Sequence, residues 1–209
     1  MTNSNTPRTI SKQVNRLISK LNLKAPPVYV KVQPESGAIV SECFPNVERK
    51  VLSSGGKMLC GWQIWEWPNV MIEAEFHAIW QSPEGDWVDI TPKQDEEQTI
   101  LFAHTPKRPY DGKRVDNVRL ALRDDTIIHH FIQISELISK ALQDGREFEY
   151  GFITVPEAKM KPLMEAKRFL LGALKAGYRD HDTCCCKSSI KYKRCCGKEI
   201  QKYISESVR

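Results

Sequence analysis

Five of the seven cysteines of this 209-residue chain, Cys184, Cys185, Cys186, Cys195 and Cys196, fall within thirteen residues. A segment so short cannot bury a core of its own, so the thiols have to supply its cohesion. Such clustering suits metal ligation in a reducing compartment better than a disulfide framework, which spreads its cysteines through a fold. Cys184 and Cys186 form a C-x-C pair, and Cys195 with Cys196 closes the set after eight intervening residues, enough chain to wrap a tetrahedral ion. Four thiolates suit zinc, and binding the ion then supplies most of the folding free energy of the module. A redox-active or merely free cysteine cluster is the alternative, and Cys185 and His181 are spare ligands.

The segment resembles the SEC-C motif, a short zinc-binding tail of bacterial preprotein translocase ATPases and of many otherwise unrelated bacterial proteins. Cys184, Cys186, Ser188, Lys191, Tyr192, Lys193, Cys195, Cys196 and Gly197 fall in place. Cys185 stands where the motif has proline, and Lys187 and Ser189 where it has glycines, so the resemblance implies an altered or strained turn between the ligand pairs. It also implies an adaptor role for these residues, docking onto proteins or ribosomes. From Cys184 onward Lys187, Lys191, Lys193, Arg194, Lys198, Lys202 and Arg209 stand against only Glu199 and Glu206. Such a tail can contact an anionic partner, whether protein, ribosome or nucleic acid.

The remainder is ordinary in composition, 41% hydrophobic and 27% charged, and the length suits one domain with an appendage. A formal charge of +5 is too small to mark a nucleic-acid binder by itself. Met1 to Arg8 lacks the apolar run of a signal peptide, and no stretch of about 18 apolar residues occurs, so the expected location is the cytoplasm, away from any membrane.

Apolar spacing predicts an amphipathic helix from about Thr9 to Leu21, ended by Ala25, Pro26 and Pro27. Val28 to Val32 reads as a strand. Cys43 opens a short helix to Leu52, with Ser53, Ser54, Gly55 and Gly56 as its stop. Met58 to Trp67, Val70 to Trp80, Asp86 to Thr91 and Ile100 to Ala103 read as strands of an antiparallel sheet. A basic loop covers Thr105 to Arg114; helices follow over Ile127 to Leu142 and from Pro156 to Ala176. The expected organisation is an N-terminal helix at 1–26, an α+β core at 27–110, a helical region at 111–180, and the zinc module with its basic tail at 181–209.

Cys43 at a helix start, His77 on a strand and Asp89 on the next strand form a second constellation. The order and elements resemble papain-like and transglutaminase-like thiol enzymes, which implies an α+β fold of that architecture and thiol-dependent acyl transfer or hydrolysis on a protein or peptide. A helix N-terminus and an imidazolium both favour the thiolate that attacks a carbonyl, and a carboxylate on the far ring nitrogen fixes the histidine. The expected pairing sets His77 opposite Asp89, with Glu73, Glu75, His77 and Ile79 on an outward face and Ala74, Phe76, Ala78 and Trp80 facing a core. Gln33, by analogy with the papain-like glutamine, and Asn46 are the candidate oxyanion donors beside the Cys43 amide; Gly61 and Trp62 are candidates to line the cleft.

Each residue also has a bland reading: a buried thiol, a surface histidine, a turn-capping aspartate. Cys60, inside a strand, reads as core, and His129 and His130 as the solvent edge of a helix. The rival functional class is a noncatalytic adaptor using the zinc tail. A third reading makes Trp62, Trp65, Trp67, Trp80 and Trp87 a recognition surface, although strand aromatics are usually core.

Overall fold

Strand pairing decides where the candidate residues meet. In a computed structural model, residues 4–94, 96–147 and 153–207 are described; Arg209 of the basic tail lies outside them. The chain is mixed α and β and divides into two compact units, 4–67 with 72–120 and 68–71 with 121–207.

The first unit begins with α1 (Lys12–Lys20), whose N-cap Ser11 accepts from the Val14 N–H and which buries Val14, Leu17 and Ile18 at i, i+3, i+4. Its sheet comprises β1 (Val28–Val32), β2 (Lys57–Trp67), β3 (Met71–Gln81), β4 (Trp87–Asp89), β5 (Thr99–His104) and β6 (Val118–Ala121), in the order β2-β5-β1-β4-β3-β6. β2 also pairs with β3, so five strands close on themselves and β6 adds to β3. The sheet is not purely antiparallel as expected, because β1 runs parallel to β4, with Lys31 beside Val88 and Val32 beside Asp89. The helix and two long strands between β1 and β4 provide the crossover that a parallel pair requires.

Two apolar clusters use alternate residues of these strands. Val30, Val32, Leu59, Ile79, Ile100 and Phe102 form one, with Trp87 packed against it. Cys43 and Val47 of α2 (Cys43–Ser54) join Ala78 and Ile90 in the other, together with Met58, Trp80 and Val88. Both faces of β3 are therefore covered, which overturns the outward placement of His77 and Ile79: both are buried. Gly61 lies so close to the Phe102 ring and the Ala103 carbonyl that a Cβ would collide with both. Gly55, at φ 71, stops α2.

In the second unit, α3 (Thr126–Gln143) buries Ile127, Phe131, Ile134 and Ile138. Its start is capped from a distance: the Asp180 carboxylate accepts from the Thr126 N–H at 2.9 Å, the Thr126 hydroxyl at 2.6 Å and the Ile127 N–H at 3.3 Å. β7 (Arg146–Glu147) and β8 (Ile153–Thr154) form a short ladder ahead of α4 (Glu157–Lys175). A single 3-10 turn at Tyr192–Arg194 leads into α5 (Cys196–Ser207), a helix absent from the expected elements. No helix among the described residues is long and apolar enough to cross a membrane.

Candidate functional site

The C-terminal cysteines converge. The sulfurs of Cys184, Cys186, Cys195 and Cys196 all lie within 4.8 Å of one another, the one cluster of potential metal ligands among the described residues. A tetrahedral zinc with Zn–S bonds of about 2.3 Å needs its sulfurs about 3.8 Å apart, so a small inward movement completes the shell. Cys186 and Cys195, at 3.4 Å, stand slightly closer than this spacing and would ease apart by a few tenths of an ångström. Cys185 and His181 do not join the cluster.

Local structure explains the convergence. Thr183 bridges to Lys191, the Cys184 N–H donates to the Ile190 carbonyl at 2.8 Å, and the Lys187 N–H donates to the Cys184 carbonyl at 3.0 Å. Lys187 adopts φ 68, the left-handed backbone that favours glycine. Gly197 is required for space, since a Cβ there would meet the Tyr192 carbonyl at 2.8 Å.

The tail is tied to α3 through His130, which is buried rather than at the solvent edge. Its Nδ1 accepts from the Tyr192 hydroxyl at 2.8 Å and its Nε2–H donates to Gln201 Oε1 at 3.0 Å. Burial lowers the His130 pKa, which fits a neutral ring with one donor and one acceptor. His129 is the exposed member of the pair and meets Asp124 at 3.0 Å.

In the first unit His77 and Asp89 come together, with Nε2 2.9 Å from Oδ2. The register pairs Trp80 with Val88 and Gln81 with Trp87, so Asp89 falls beside Ile79 and His77 is its diagonal rather than direct neighbour. Asp89 ends β4 itself, because its Oδ1 accepts from the Thr91 N–H at 3.0 Å. Its Oδ2 receives a second cation, Lys93 Nζ, at 2.6 Å. Lys93 also donates to Gln63 Oε1 at 2.9 Å and stands 3.5 Å from His77 Nε2. Gln63 Nε2 is buried without a partner.

Asp89 is 0% exposed and His77 5%. Burial alone would push the imidazole pKa down; the Asp89 carboxylate outweighs it, opposed by Lys93 and aided by Cys43, and His77 is raised to about 9. Burial alone would raise the Asp89 carboxyl, but the charge and hydrogen bond of His77, then Lys93, hold it at about 2. At neutral pH the pair is an imidazolium donating to a carboxylate, and Nδ1 has no hydrogen-bond partner among the described residues.

Cys43 is the first residue of α2 and packs on Ala78 and Ile90, which alternate with His77 and Asp89 along the chain and so present their side chains to the opposite face. No hydrogen bond joins Cys43 and His77 among the described residues. Gln33 has an exposed side chain, and its backbone N–H donates to the Asp89 carbonyl at 2.8 Å. Asn46 is clamped: Oδ1 accepts from the Ile39 N–H at 3.0 Å and from Arg49 at 2.6 Å, while Nδ2 donates to the Ile39 carbonyl at 2.7 Å. Its amide fixes the loop that delivers Cys43.

Around Cys43, Phe44 stacks on Tyr110 at 3.7 Å, and Arg108 lies over the rings of Trp62 and Phe76 at 5.8 and 5.4 Å. The basic loop thus covers this face, and Trp62 is buried beneath it. The tryptophans form no exposed platform: Trp62 and Trp67 are buried and Trp65, Trp80 and Trp87 half-buried. Lys93 and Gln63 were missed as site residues; a lysine four positions after Asp89 was the available signal. No family model, curated protein or solved structure matches the chain.

Proposed function

We propose that the chain is a thiol-dependent acyl-transfer enzyme of papain-like or transglutaminase-like type, acting in the cytoplasm on a protein or peptide, with a SEC-C-like zinc tail that recruits it. The observation that carries this reading is the buried imidazolium–carboxylate pair of His77 and Asp89. It leaves Nδ1 without a hydrogen-bond partner among the described residues, and Cys43 opens the helix that packs on Ala78 and Ile90, the chain neighbours of the pair.

In the proposed step the Cys43 thiolate attacks the substrate carbonyl carbon. The S–C bond forms as the amide C–N bond breaks, and His77 Nδ1 gives its proton to the departing amine. Water or a second amine then takes the acyl group, its proton returns to His77, and the thiolate is restored. Asp89 holds the ring throughout. The Cys43 N–H is the first oxyanion donor, with Gln33 the freer of the two side-chain candidates because Asn46 is already engaged. In the tail, Cys184, Cys186, Cys195 and Cys196 would hold zinc, which organises the segment.

The rival is a noncatalytic adaptor, and one observation favours it. Lys93 shares Asp89 Oδ2 with His77, an arrangement that neutralises a buried carboxylate without any thiol. The test is iodoacetamide alkylation at pH 6.5, read peptide by peptide, with buried Cys60 as internal reference and tryptophan emission as the fold control. An active pair makes Cys43 react at least tenfold faster than Cys60, and His77→Ala and His77→Gln remove that advantage. Equal, slow reaction at both cysteines in the wild type selects the adaptor.

A further inference from the structure

Within the second unit, α3, the 3-10 turn and α5 enclose an open groove of about 390 Å³, lined among others by Thr126, His130, Lys193, Lys198, Gln201 and Lys202. Its neutral groups are already occupied. His130 and Gln201 bond to each other, the Thr126 hydroxyl donates to Asp180, and the Ser205 hydroxyl donates to the Gln201 carbonyl. What remains available are the three ammonium groups, none of which forms an ion pair with a described residue. Asp180 feels Lys193, yet its oxygens are taken by the start of α3. No carboxylate and no aromatic ring other than the buried His130 lines the groove.

We propose that this groove binds the phosphate backbone of a double-stranded nucleic acid, without reading its bases. A concave surface carrying three unpaired cations on a floor of satisfied hydrogen bonds selects for anionic charge rather than for polar pattern. The cations are lysines, which meet phosphate oxygens as compact point charges and lack the rigid bidentate fork of arginine, as suits contact with a backbone rather than a patterned edge. Single strands are held by stacking bases on aromatic platforms, which the groove does not offer. Lys198 and Lys202 are one turn apart on α5 and project along one face, so they can follow a continuous backbone. The inference gives the recruiting role proposed for the tail a partner class, and it does not depend on Cys43.

The test uses the full, zinc-loaded chain and a fluorescein-labelled 20-bp duplex, as DNA and as RNA, with anisotropy read between 50 and 200 mM salt. Each lysine on a phosphate contributes about 0.9 to the slope of log affinity against log salt. The triple substitution Lys193→Gln, Lys198→Gln, Lys202→Gln is expected to flatten the slope by about 2 to 3 and weaken binding at least tenfold at 50 mM salt. Lys161→Gln with Lys175→Gln on α4 leaves both unchanged, and an all-arginine triple variant retains binding. Should the triple variant lose metal, the single variants, each worth about one unit of slope, take its place. An unchanged slope, tighter binding of a single strand, equal competition by polyglutamate, or no duplex binding at 50 mM salt overturns the proposal.

Discussion

The cysteine tail and the His77–Asp89–Lys93 cluster solve one physical problem in opposite ways. Each concentrates groups whose charged forms repel or are costly to bury. The tail brings together four thiols, of which Cys184 is buried and Cys186 exposed, with little apolar cover beyond Tyr192 and Ile204. As thiolates they would need a cation from outside. The cluster instead supplies its own cations to one carboxylate, inside a unit whose apolar clusters exist without it. On the proposed reading the first region would depend on its ligand, and the second depends on one charge state.

Removing the metal separates the two most sharply. Chelation, or Cys195→Ser, is expected to release the ion and unfold the segment from Cys184 through α5, seen as complete hydrogen exchange there. All five tryptophans lie between Trp62 and Trp87 in the first unit, so their emission is expected to stay unchanged. A tryptophan shift on chelation would break the contrast.

Asp89→Asn strikes the other region. It strands two buried cations at once, a loss on the order of 3 to 5 kcal/mol. For a chain of this length each kcal/mol lowers Tm by about 2–4 °C, so a drop near 10 °C is expected in the tryptophan melt, with metal content intact.

Titration should reproduce that loss gradually. His77 is raised from 6.5 to about 9, so its contribution is full below about pH 6.5 and disappears as pH rises through 9. Asp89 is lowered from 3.8 to about 2, so its contribution is full above about pH 4 and disappears as pH falls through 2. Both shifts report one interaction and are not summed; the alkaline limb is worth on the order of 3 kcal/mol. Thermal melts from pH 6 to 10 are expected to slope downward, and His77→Leu to flatten that slope.

The tail and the strands were legible for different reasons. Ligand spacing is local, so the four cysteines could be chosen from sequence, and Lys187 fell at the position where the backbone does turn left-handed. β1, β2, β3 and β5 followed from their β-branched and aromatic runs to within a residue or two. Closure of the sheet was not legible, because the β1–β4 and β2–β5 contacts join strands far apart in the chain and depend on how the sheet curls rather than on any one strand. For the same reason Ile79 was assigned to an outward face: alternation gives two faces but does not say that both are covered. Lys93 and Gln63 escaped since their partners lie on other strands. His130 was hidden because its partners sit 62 and 71 residues away. α5 could have been found from Gly197, Ile200 and Ile204, which recur at helical spacing.

Smaller effects sharpen the contrast within the tail. His130→Phe leaves the Tyr192 hydroxyl and Gln201 without their buried partner, at about 1 to 3 kcal/mol. It should speed hydrogen exchange in α5 and leave the tryptophan melt unmoved. Lys187→Gly has the smallest expected effect and the opposite sign. A side chain in left-handed backbone costs about 1–2 kcal/mol, and the extra freedom of glycine in the unfolded chain returns part of that, leaving a net gain below about 1 kcal/mol. Because metal binding and folding of the tail are one equilibrium, the gain appears as metal affinity, at most about fivefold, measured by competition with a chromogenic chelator. Unchanged affinity would mean that the bound ion, rather than the turn, sets the conformation of residue 187; weakened affinity would mean that the Lys187 side chain contributes to the fold of the tail.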